Sequence, residues 1–174
     1  MPKEKSENIK TTPNKGKSIL KWLTPSKGVI VFCIVVVVFS VIRSNMEESF
    51  IANARVNAAT ENHTHARDMV TAYFEKCSTG ASTLQLKVNS TTTMTNVSCT
   101  SNVSQFADYW AKHFNNDGWQ NPYNKGSTFA RRANGAGALG EMRFWYSGNN
   151  LTINSNVGND KGQSKSLTAS IMKE

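Results

Sequence analysis

Histidine and cysteine are scarce in this 174-residue sequence, three of each, and none falls into a pattern that makes an active site. His63 and His65 lie two apart on an expected helix, where side chains two positions apart diverge by about 200°, so they cannot share a metal. His113 stands apart on a second expected helix, and all three read as surface histidines. Carboxylates are equally scattered: Asp108 and Asp117 flank that second helix, Glu141 starts a strand, and no spacing forces two together. Gly135-Ala136-Gly137-Ala138-Leu139-Gly140 has clustered glycines, but no strong strand precedes it and no helix follows. A flexible loop is expected there, not a dinucleotide site. These shortages argue against an enzyme, and no cofactor or metal is expected.

The large C-terminal part also lacks a concentration of positive charge. The formal net charge is +8, but residues 1–27 contribute +5 of it, from seven lysines (Lys3, Lys5, Lys10, Lys15, Lys17, Lys21, Lys27) against Glu4 and Glu7. Residues 44–174 carry twelve basic and ten acidic side chains, with no basic stripe interleaved with aromatics, so nucleic acid is not an expected partner. Arg131-Arg132 reads as a solvated pair on a loop.

One stretch lacks charge altogether. Between Lys27 and Arg43 the chain runs from Gly28 to Ile42 through valine, isoleucine and phenylalanine. A lysine-rich flank marks the cytoplasmic side of such a segment. Residues 28–42 are therefore expected to span an inner or plasma membrane, with a disordered basic tail over 1–24 inside and residues 44–174 periplasmic or extracellular. Fourteen apolar residues rise ~21 Å as a helix, short of the ~30 Å hydrocarbon core. Snorkelling of Lys27 and Arg43, local thinning or helix partners can absorb the mismatch. A cleaved secretory signal fits less well, because Val41-Ile42-Arg43-Ser44-Asn45 offers no small-x-small cleavage site. Thr24-Pro25 suits a helix start, and Trp22 suits the membrane interface.

Proline and glycine are absent from Arg43 to Lys76, and alanine recurs at 52, 54, 58, 59, 66 and 72. A helix is expected to continue from the anchor, about 25–77, as a rod ~75 Å long. Met46, Phe50, Ala54 and Ala58 share one face; Met69, Val70, Tyr73, Phe74 and Cys77 form a stripe near the end. Residues 78–174 then read as an exported head. Leu84 to Asn89 alternates as a strand, with Met94 to Cys99 as its partner. Val103, Phe106, Ala107, Trp110 and Phe114 give an amphipathic helix over 102–116. Residues 121–126 and 131–140 read as loops. Strands are expected at 141–147, 151–157 and 166–173, the first two joined by a Gly148-Asn149-Asn150 turn. The fold class is α+β, an antiparallel sheet packed on the long helix. Cys77 and Cys99 both fall in the exported part, where disulfides persist, and are expected to pair, closing a loop of about 23 residues worth roughly 3 kcal/mol. Five Asn-x-Ser/Thr sequons (Asn62, Asn89, Asn96, Asn102, Asn150) are about what this Asn/Ser/Thr-rich composition produces by chance, so glycosylation is not inferred.

Taken together, Lys27-Gly28 before the apolar run, a helix ending about fifty residues later, the cysteine pair, the α+β head and the Asn121-Pro122-Tyr123-Asn124 loop resemble the type IV pilin and pseudopilin group. The resemblance implies cleavage between Gly28 and Val29 by a prepilin peptidase, and self-assembly through the N-terminal helix into a pilus or a related secretion or uptake filament. The family's usual glutamate five residues after the glycine is Cys33 here, and Arg43 ends the apolar run early. An uncleaved, signal-anchored protein with an exported partner-binding or ligand-binding domain is the second expectation.

Overall fold

A computed structural model of the protein describes residues 27–174. The expected basic tail 1–24, the helix start at Thr24-Pro25 and the interfacial Trp22 lie outside the described residues. The chain divides into two compact units, with the boundary after Asn45.

In the first unit the described residues are all helical. They open helix α1, which runs Lys27–Ser78. Valine and isoleucine are mediocre helix formers, but nothing between Gly28 and Ile42 removes a backbone donor, so the i to i−4 ladder is uninterrupted. Ser40 folds its hydroxyl back, donating to the Val36 carbonyl at 2.8 Å. The guanidinium of Arg43 lies 5.6 Å from the centre of the Phe39 ring.

The second unit comprises Met46–Glu174. Its elements after α1 are β1 (Thr83–Leu86), β2 (Thr95–Ser98), α2 (Val103–Asn116), β3 (Ala130–Arg132), β4 (Met142–Ser147), β5 (Asn150–Asn156) and β6 (Ser166–Met172). The architecture is α+β, as the residue pattern implied.

The core forms where α1 meets α2. Ala66, Val70 and Phe74 on α1 are buried, together with Val103, Phe106, Ala107, Trp110, Ala111 and Phe114 on α2. Tyr73 meets Trp110 edge-on at 5.4 Å, and Phe74 meets Phe106 the same way at 5.1 Å. Phe114 then stacks on Phe144 of β4 at 5.6 Å, carrying the aromatic layer from helix to sheet. Edge-to-face and offset pairs of this kind add about 0.5–1.5 kcal/mol each beyond the area they bury.

Helix α2 is defined at both ends. Asn102 caps it by accepting from the Gln105 amide at 2.8 Å, and the Gln105 side chain accepts from the Asn102 amide at 3.1 Å. At the far end Gly118 takes φ +84°, and the Trp119 amide donates back to the Phe114 carbonyl at 3.1 Å, closing the helix.

The strands form two sheets, β1-β2 and β3-β4-β5-β6. β1 and β2 pair antiparallel with Leu84 opposite Val97, both buried. The Cys77–Cys99 disulfide, Cα atoms 5.4 Å apart, ties the last turn of α1 to the end of β2. β4 and β5 form the expected hairpin, although the turn is the two residues Gly148-Asn149, with Ser147 opposite Asn150. Phe144, Leu151 and Ile153 face the helices, while Trp145 faces out.

The main sheet is not wholly antiparallel. Ala130–Arg132, whose last two residues were expected as loop, forms β3 and pairs parallel to β4. Three residues cannot display a period-two pattern, and β3 is held by α2 instead. The Asn115 side chain accepts from the Ala130 amide at 2.9 Å and donates to its carbonyl at 2.8 Å.

Two stability outcomes follow from this packing. Phe106→Ala should lower unfolding free energy by about 3–5 kcal/mol, measured by denaturant unfolding of the detergent-solubilised protein. Reducing or replacing the Cys77–Cys99 bond should cost about 3 kcal/mol in the same assay.

Candidate functional site

The surface that distinguishes this protein is a helix face rather than a cavity. Every apolar side chain described between Ile30 and Ile42 is exposed, on all sides of the helix. An eighteen-residue window of α1 reaches a mean hydropathy of 2.0 with none of it buried, so one described helix is long and apolar enough to cross a membrane. Gly28 and Val29, the expected processing position, are the second and third residues of α1, and Gly28 is exposed. Cys33 is a free, exposed cysteine. In the second unit, Met46, Phe50 and Ile51 of α1 are also exposed, Phe50 at 77%.

The head withdraws its polar chemistry into structural contacts. His63 and His113 were expected on the surface and are not: they are 6% and 3% exposed. The Nδ1 of His63 lies 2.9 Å from the Ser155 hydroxyl on β5, so it docks α1 onto the sheet. Ser155 is itself buried, so the bond lies inside the head. His113 accepts the Lys87 amide at its Nδ1, 3.0 Å away, and so is neutral with its proton on Nε2. Only α2's pattern hinted at this, since His113 sits one position before Phe114 on the apolar side. Burial holds both histidines below their usual pKa; the Arg67 charge pushes His63 further down, and at His113 the Asp117 carboxylate partly opposes burial. His65 is exposed, 4.0 Å from Glu61.

Asp117 pairs with Lys87 at 2.7 Å, and hydrogen bonding to Lys87 is the main reason its pKa is lowered. Asp108 pairs with Lys112 on one turn of α2. Glu141, buried, accepts from Arg143 at 3.0 Å and from the Ala138 amide at 3.1 Å, which pins the glycine-rich loop. Arg131 reaches the same carboxylate only at 3.7 Å, and Arg132 donates to Ser104 at 2.7 Å. The Asn121–Asn124 loop is organised by the buried Asn121, whose Oδ1 accepts the Tyr123 and Asn124 amides and whose Nδ2 donates to Leu139. The Tyr123 hydroxyl donates to the Val157 carbonyl at 2.7 Å.

Among the described residues no three His, Cys, Asp or Glu side chains converge as metal ligands. A cleft of about 400 Å³ runs between α1 and β6, with Phe74 and Ile171 among its lining residues and Arg67 and Glu75 beside them. Its Arg67 is engaged by Asp68 at 2.7 Å.

No family model, curated protein or solved structure matches this chain.

Two outcomes test these contacts. Above about pH 6.5 the histidines are neutral whether the chain is folded or not, and their contribution is fully present. Below that, the unfolded chain binds protons that the folded chain resists, so stability falls as pH falls until the lowered folded pKa values are reached. Thermal unfolding from about pH 7.5 to about pH 5 should show this loss, and a His63→Gln/His113→Gln variant should flatten it. Separately, Gly140 holds φ +74°, and a Cβ there would run into the Asn121 amide group. Gly140→Ala should cost about 1–3 kcal/mol from the backbone alone, read by denaturant unfolding.

Proposed function

We propose that this chain is a pilin-like structural subunit, held in an inner or plasma membrane by the first part of α1 and presenting its α+β head outside. The observation that carries the reading is the contrast within one helix. From Ile30 to Ile42 its apolar side chains are exposed all round, whereas Ala66, Val70 and Phe74 are in the head core. An apolar helix surface in water is costly, at roughly 25 cal/mol per Å², and is relieved by lipid or by copies of the same helix. The lysine excess before Lys27 orients the chain with that flank cytoplasmic. The Cys77–Cys99 disulfide supports an oxidising compartment for the head.

In this reading a prepilin peptidase cuts between Gly28 and Val29, and the freed helix packs with its copies in a type IV pilus or related filament. Work is done by assembly, without catalysis, and lipid and sister subunits are the partners. A second reading is favoured by Cys33, which stands where the family carries glutamate, and by Arg43, which closes the apolar run early. It is an uncleaved single-pass anchor whose head binds an external partner.

Sequencing the N-terminus of the membrane-extracted protein separates the two. A chain beginning at Val29, blocked from forming by Gly28→Leu, is expected for the subunit. An intact Met1 in the membrane fraction would sink it in favour of the retained anchor.

A further inference from the structure

β6 ends the main sheet: β5 pairs with it on one side, and no described strand lies on the other. The Val157 amide donates to the Lys165 carbonyl at 2.8 Å and the Lys173 amide to the Asn149 carbonyl at 2.9 Å. Those two bonds set the alternation of the ladder, so the odd-numbered residues of β6 turn their backbone toward β5. The N–H and C=O of Ser166, Thr168, Ser170 and Met172 therefore point away from the sheet, and no described residue bonds them. Open edges are ordinarily guarded by proline, by lysine or by a bulge. Ser166–Met172 contains no proline and no charge, and it pairs with β5 without interruption.

We infer that β6 adds to β6 of a second copy of the chain, antiparallel, about a twofold axis at Ala169. The residues on either side of Ala169 match in kind: Thr168 and Ser170 one place away, Leu167 and Ile171 two places away. Pairing about that axis sets Leu167 opposite Ile171 and Ala169 opposite Ala169 on the half-buried face. On the exposed face Thr168 meets Ser170, a cross-strand hydroxyl pair of the kind that stabilises sheets. Ser166 with Met172, and Thr168 with Ser170, become the hydrogen-bonded pairs, so all four outward backbones are satisfied. The cleft of about 400 Å³ beside the Ser170–Met172 end has Phe74 and Ile171 in its wall, and Leu167 of the second copy, arriving opposite Ile171, fills it. Lys165 of the second copy reaches the same end, where Glu75 and Glu174 join no ion pair among the described residues. The like charges there are already engaged: Lys173 lies 5.7 Å from the centre of the Phe106 ring, and Arg67 is held by Asp68. Within the head α1 advances in the same direction as β6, from His63 at Ser155 to Glu75 beside the Met172 end, so the two α1 segments of the pair run oppositely. The contact is isologous and closed, distinct from any stacking of parallel helices. It rests on the head alone, whether or not the chain is cut after Gly28.

Oxidative trapping of the detergent-solubilised full chain carrying Cys33→Ser tests the pair. Ala169→Cys lies on the axis, where facing Cα atoms are about 4.5 Å apart, and should trap several-fold more disulfide dimer than Ser166→Cys, which lies opposite Met172. Ser170→Pro removes an outward N–H without entering the β5 ladder, and should cut the Ala169→Cys dimer several-fold. Thr168→Lys combined with Ser170→Lys sets lysine opposite lysine on the exposed face, and should do the same with thermal unfolding unchanged. Absence of an Ala169→Cys dimer would overturn the contact. A Ser166→Cys dimer equal to or above it would overturn the register, and an Ala169→Cys dimer untouched by both edge variants would overturn strand addition.

Discussion

The head depends on one contact, the seating of Tyr73 and Phe74 of α1 against Phe106 and Trp110 of α2. Those four rings bring the end of the long helix to the only strongly amphipathic helix in the head. Everything else extends from there. Phe114 passes the packing on to Phe144 in the sheet. The disulfide one turn past Phe74 attaches β2 to the same helix end. His63, three turns earlier, fixes the approach of α1 to β5 by its bond to Ser155. A helix that is polar over much of its middle is thus held by a few contacts at its C-terminal end, with small residues such as Ala59 and Ala66 allowing close approach.

This arrangement draws the polar groups of the head into contacts that hold its elements together. Its buried and half-buried polar groups join elements: His113 to the Lys87 amide, Asn115 to β3, Asn121 to the loop ending at Leu139, Glu141 to Ala138 and Arg143. All but the Glu141–Arg143 pair satisfy a backbone group where regular structure stops, past the end of β1, in the three-residue strand β3 and in the glycine-rich loop. Buried donors and acceptors left unpaired would cost about 1–3 kcal/mol each, which is why asparagine is so prominent in these positions. Most of the apolar surface left uncovered among the described residues is on α1, and the functional reading follows that imbalance.

Element positions were legible wherever a periodic pattern was long enough. Val103, Phe106, Ala107, Trp110 and Phe114 announced α2, and the alternation through Phe144 and through Leu151 and Ile153 announced the hairpin that the structure contains. β3 was not legible, because three residues paired in parallel and held by a side chain leave no period to detect. The burial of His63 was not legible either, and that of His113 was hinted at only by its place beside Phe114 on α2. A histidine carries no sign of whether its ring will face water or a neighbour, and both found partners 92 and 26 positions away in the chain.

By itself, then, the amino-acid sequence determined where this chain is apolar, where it is helical and which two cysteines share its C-terminal part. Those properties depend on residue type and local spacing, which the order of residues states outright. The tertiary structure decided which polar groups are buried and that β3 joins β4 in parallel, and it bore out the expected Cys77–Cys99 bond. It also decided that the Phe50 patch is left uncovered by the head. These outcomes depend on contacts between distant parts of the chain, and whether a given side chain is covered is settled only when its neighbours from elsewhere in the fold arrive.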